Sequence, residues 1–75
     1  MDFSKQYPPI SWWIDIHGWI EIGADENSDS LIRLLDEGGT WWEDDEATSL
    51  DEAINNAENF LIEDLPNRFG KKFKL

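Results

Sequence analysis

The sequence predicts an α+β fold: a four-stranded antiparallel sheet, β-β-β-β-α in order, with one C-terminal amphipathic helix packed on one face. Three observations predict it. Apolar residues recur with a period of two over residues 11–24, as in half-buried strands. The pair Gly38-Gly39 supplies the positive φ that a tight hairpin turn needs. A capped segment with a 3.6-residue apolar rhythm begins at Ser49.

Residues 1–9 read as an extended leader, because Pro8-Pro9 disfavours both helix interior and central strand. The first strand falls at about 11–16, where Trp12, Ile14 and Ile16 alternate with Trp13, Asp15 and His17. A tight turn at His17-Gly18 leads to a second strand at 19–24, with Ile20 and Ile22 set against Trp19 and Glu21. Residues 25–30 form a polar loop. A second hairpin follows, with strands at 31–36 and 40–44 around Asp36-Glu37-Gly38-Gly39. Residues 30–37 fit a short helix equally well, with Asp29 as its cap and Gly38 as its stop, and eight residues do not decide between the two.

The helix is the clearest element. Ser49 is a good N-cap and Glu52 completes a capping box. Leu50, Ala53, Ile54, Ala57, Phe60, Leu61 and Leu65 form one apolar stripe. Asp51 and Glu52 suit the positive end of the helix dipole. Pro66 is expected to end the helix. Residues 67–75 form a basic-aromatic tail in which Phe69, Phe73 and Leu75 can dock or stay free.

Seventy-five residues make one small domain with a thin stability margin. There is no cysteine and only one histidine, His17, so disulfides and thiolate zinc sites are out of reach. The net charge is −11, and all seventeen acids lie between Asp2 and Asp64. Four of the six basic residues fall at 68–75, where they can fold back on the acidic body. Such a body repels nucleic acid and anionic lipid and attracts a basic partner. Residues 1–9 do not resemble a signal peptide and no apolar run reaches membrane length. The expected compartment is the cytoplasm.

One helix covers one sheet face and leaves the other open. The covered set is expected to be Ile14, Ile16, Ile20 and Ile22. The open face would carry Trp13, Asp15, Trp19, Glu21 and Arg33. One of Trp41 and Trp42 would join them, since neighbouring strand residues point to opposite faces. Tryptophans rimmed by acids suit an interface hot spot. The competing readings are that the chain's own ends cover this face or that a second copy does.

Asp25, Asn27, Asp29, Ile32 and Asp36 match part of a calcium-loop pattern. Ser30 stands where glycine is required, so a solvated loop is the better reading. Glu43, Asp44, Asp45 and Glu46 read as a solvated acidic cluster rather than a metal site. No pair of acids is marked for general acid–base work, so catalytic residues, metal and cofactor are all expected to be absent. The string SLDEAINNAENFLIEDL, through Glu52, Ala53, Asn56 and Ala57, resembles the helix of small bacterial antitoxins of the HicB type. The resemblance covers 17 residues and implies a protein that neutralises a basic toxin. The expected function is a small acidic protein-interaction module, binding a partner or itself as a homodimer. The alternative is an acidic inhibitor that mimics nucleic acid.

Overall fold

The computed structural model describes residues 2–23 and 30–70. The fold is α+β, but its sheet has three strands rather than four. In order come α1 (Phe3–Gln6), α2 (Pro8–Trp12), a π-helical segment (Trp13–His17), β1 (Trp19–Ile22), β2 (Ile32–Asp36), β3 (Gly39–Glu43) and α3 (Leu50–Phe69). The sheet is an antiparallel meander in the order β1-β2-β3.

The expected first strand at 11–16 and the expected extended leader are both helical. Asp2 caps α1 by accepting from the Ser4 N–H at 3.0 Å. Pro8 and Pro9 occupy the first turn of α2, where a missing N–H costs nothing and the fixed φ is already helical. The first N–H that needs a partner is that of Ile10. It donates to the Glu58 carboxylate of α3 at 3.1 Å, so a residue 48 positions away caps α2. The chain then widens into a π-turn, closed by the Gly18 N–H donating to the Trp13 carbonyl at 2.8 Å. Ile10 and Trp13, three apart, are fully buried. Helical spacing therefore prevails over the alternation that suggested a strand.

The second hairpin forms as expected, which removes the helical alternative for 30–37. Asp36 accepts from the Gly38 N–H at 2.8 Å, and Gly39 takes φ +113°. Ser49 caps α3 through the Glu52 N–H at 3.2 Å. Ala53, Ala57, Leu61 and Leu65 are fully buried against Ile10, Trp13, Ile32 and Leu34. Pro66 does not end the helix. It removes one donor, and α3 continues to Phe69 before Gly70 closes it at φ +66°.

The core therefore lies between α3, α2 and one face of β2. Of the four isoleucines expected on the covered face, only Ile20 packs on this core. Ile14, Ile16 and Ile22 are exposed, because the first two sit on the π-turn and the third lies at the sheet's outer edge.

Glu58 is buried, and burial pushes its carboxyl above its ordinary value, opposed by the Ile10 hydrogen bond. A raised folded pKa favours the folded state at acid pH. That benefit is complete below the ordinary value, where both states are protonated, and is lost as pH rises from there through the raised folded value, because the unfolded chain ionises first. Glu58→Gln keeps an acceptor for Ile10 and removes the buried charge. It is expected to raise the melting temperature at pH 7 and to leave it nearly unchanged at acid pH. Glu58→Ala orphans the N–H and is expected to cost about 1–3 kcal/mol. Equal melting temperatures for parent and Glu58→Gln at pH 7 would show that the charge is not strained.

Candidate interaction surface

Pairing in register sets the open face in rungs. Trp19 lies opposite Leu35 and Leu35 opposite Thr40, while Glu21 lies opposite Arg33 and Arg33 opposite Glu43. Ile32 and Leu34 face the core, so Arg33 and Leu35 face away from α3. The face away from α3 thus carries the Trp19–Leu35–Thr40 rung beside the Glu21–Arg33–Glu43 rung, in which the two carboxylates are exposed and Arg33 is buried between them. Trp19 is 43% exposed and its indole N–H donates to Glu21 at 3.3 Å. Arg33 is buried at the surface of the sheet, donating to Glu21 at 3.3 Å, to the Ser30 carbonyl at 3.0 Å and to the Gly23 carbonyl at 2.9 Å. Glu21 keeps nearly half its side-chain area in solvent.

Of the six expected binding residues, the structure places Trp19 and Glu21 on this face. Trp13 is fully buried. Its Nε1 donates to the Trp19 and Leu35 carbonyls at 3.0 and 3.2 Å, plugging the end of the β1–β2 ladder. Asp15 is exposed on the π-turn, off the sheet.

Trp41 and Trp42 both turn toward α3. Leu34 pairs with Trp42 and Leu35 with Thr40, so Trp41 is the extra residue of a β-bulge. The bulge breaks the alternation that would have placed one of them on the open face. Trp42 stacks on Phe60, with ring centroids 5.1 Å apart, and Trp41 Nε1 donates to Asp64 at 3.0 Å. Arg68 ion-pairs with Asp64 at 3.0 Å and lies 4.9 Å over the Trp41 ring.

The acidic cluster divides. Glu43, Asp45 and Glu46 are exposed, whereas Asp44 is buried. Burial pushes the Asp44 carboxyl up, but bonds from the Glu46 N–H, the Asn56 amide and the Ala47 N–H outweigh it and hold the group below its usual range. Asp44 is therefore a structural lock between β3 and α3.

His17 is the residue that sequence reasoning undervalued. Its Nε2 lies 2.9 Å from Asp36, and its ring centroid is 4.6 Å from Trp13 and 4.9 Å from Phe69. Trp12 and Trp41 complete the box. The spacing of Ile10, Trp13 and His17 on one helical face was the available signal. Phe69, expected either to dock or to stay free, docks here. The bond from His17, then that from the Gly38 N–H, hold Asp36 below its usual carboxylate value against the opposing effect of burial.

Of the calcium-loop residues, Asp25, Asn27 and Asp29 lie outside the described residues. Ile32 is in the core and Asp36 is engaged by His17. Among the described residues no group of three or more metal-ligating side chains converges, and no helix is long and apolar enough to cross a membrane. A groove of about 200 Å³ lined by Phe60, Glu63, Asp64 and Asn67 runs along α3.

Comparison with family models, curated proteins and solved structures returns no match. The likeness of α3 to the helix of HicB-type antitoxins is thus not accompanied by a family match.

Proposed function

We propose that this chain is a non-enzymatic protein-interaction module that receives a basic protein surface on its open sheet face, with Trp19 as the anchor. The observation that carries this reading is the half-exposed Trp19 indole, set directly beside the Glu21–Arg33–Glu43 rung. An aromatic side chain next to carboxylates combines apolar burial with selection by charge. The net charge of −11 favours fast encounter with a cationic partner. The reading is supported over that of a nucleic-acid mimic because several acids point inward: Asp44, Glu58 and Asp36 are bound by the protein's own groups. The α3 groove is smaller than the cavities of roughly 300–1,000 Å³ that usually hold small ligands.

Trp19→Ala tests the proposal, with a panel of small basic proteins passed over the immobilised chain. The half-exposed indole can be removed without opening the core. The variant is expected to keep its melting temperature within a few degrees and to lose about 2 kcal/mol of binding, roughly thirty-fold in Kd. Added salt is expected to slow association of the parent. Equal affinity of the two proteins for every bound member of the panel would remove Trp19 as the anchor.

A further inference from the structure

The two edges of the sheet are not alike. The β3 edge carries the Trp41 bulge, one of the devices that keep an edge from pairing further. β1 carries neither bulge, proline nor lysine, and among the described residues it pairs laterally with β2 alone. The Gly23 N–H donates to the Leu31 carbonyl at 2.7 Å, which fixes the phase of the ladder. Gly23, Glu21 and Trp19 direct their backbone groups at β2, so Ile20 and Ile22 direct theirs outward. Ile22 is 54% exposed and Ile16, on the turn that leads into β1, is 69% exposed. β1 thus offers two outward-facing backbone pairs, an apolar side chain at each, and Glu21 between them.

We propose that β1 accepts an extended segment of a basic partner as a fourth strand, with a Lys or Arg of that segment facing Glu21 and apolar residues beside Ile20 and Ile22. This rests on the reading above that the partner is a basic protein. Strand addition of this kind draws affinity from main-chain hydrogen bonds and selectivity from alternate side chains. The charge pattern decides the occupant. If two copies paired β1 to β1 antiparallel, using both outward residues of each, Ile20 would lie opposite the other copy's Ile22. That register sets Glu21 directly against the second copy's Glu21. Like charges in that position are destabilising; the Arg33 guanidinium offsets part of this within each copy, but the net −11 that each copy carries adds to the repulsion. A cation on a foreign strand reverses the sign of the same contact. The partner strand therefore follows an apolar–basic–apolar alternation, and its basic residue lies on the same face as Trp19.

The test uses a peptide of alternating valine and lysine, titrated into the full chain and followed by amide hydrogen exchange. A control peptide has glutamate in place of lysine. The lysine peptide is expected to bind and to slow exchange at the Ile20 and Ile22 amides, with the glutamate peptide at least ten-fold weaker. Ile22→Pro removes only an outward-facing N–H, which an edge strand tolerates, and is expected to abolish the slowing while the melting temperature stays close to that of the parent. A lysine peptide methylated at its backbone nitrogens gives the same information on the unaltered protein and is expected not to bind. Binding without protection of Ile20 and Ile22, or equal binding of the methylated peptide, would overturn strand addition. If Trp19→Ala still weakens the basic protein in that case, the open-face reading stands alone. No binding of the lysine peptide, or a salt-resistant homodimer that protects the same two amides, would also overturn the proposal.

Discussion

Gly18→Ala is expected to remove much of the protein's stability and to lower its melting temperature sharply. The φ of Gly18 is −154°, extended backbone that any residue adopts, so the obstacle is contact and not conformation. A Cβ at this position would lie 2.0 Å from the Leu35 carbonyl oxygen and 3.1 Å from Trp13 Nε1. The first atom belongs to the backbone of the central strand and cannot swing aside. Relief requires β1 to separate from β2 at the Trp19–Leu35 pair, which also pulls both carbonyls off the Trp13 indole. Overpacking of this kind costs about 1–3 kcal/mol or more, and a domain of this size rarely holds more than about 3–5 kcal/mol. Gly38→Ala is the control. Its Cβ would meet only the flexible Asp36 carboxylate at 3.2 Å, and its melting temperature is expected to stay within a few degrees of the parent. Thermal unfolding by circular dichroism decides the matter. Equal melting temperatures for the two variants would mean that the β1–β2 junction yields more easily than its geometry suggests.

Trp13→Ala is expected to have an effect at least as large. The side chain is fully buried, contacts His17 and Trp41 through its ring, and donates from one N–H to two carbonyls at the ladder's end. Truncating a buried tryptophan costs about 3–5 kcal/mol, which equals the whole margin of a domain this small. Trp13→Phe keeps most of the ring volume and loses the donor. It is expected to fold, at a cost of about 1–3 kcal/mol. Urea titration of the two variants separates packing from hydrogen bonding. A cooperative transition for Trp13→Ala at the parent's midpoint would contradict the placement of this indole in the core.

These variants also show where the sequence was legible. The α3 cap, its apolar stripe and the Gly38-Gly39 turn are local features, and each could be read from a few adjacent residues. Trp19, Glu21 and Arg33 fell on the open face as expected because β1 and β2 keep a strict alternation. The errors came where a non-local contact decided. Pro8-Pro9 reads as a helix breaker until it is seen as a first turn, and the Glu58 carboxylate that completes that turn lies far along the chain. The run Trp12–His17 alternates like a strand, yet Ile10, Trp13 and His17 also fit a helical face, and the core selected the second pattern. Trp41 and Trp42 were assigned to opposite faces by a rule that a bulge suspends. Asp44 could not be told from its acidic neighbours, because burial depends on Asn56 across the fold.

The long-range cap on α2 bears on how the protein comes into being. As the chain leaves the ribosome, residues 8–17 emerge early, but the partners that hold them arrive late: the Leu35 carbonyl for Trp13 and the Glu58 carboxylate for Ile10. A helix of five residues is too short to persist unaided. Residues 8–17 therefore wait, without their partners, for α3 to be synthesised. Chains cut short before residue 58 should leave residues 8–17 open to proteases, and that segment should acquire its shape only after α3 has formed.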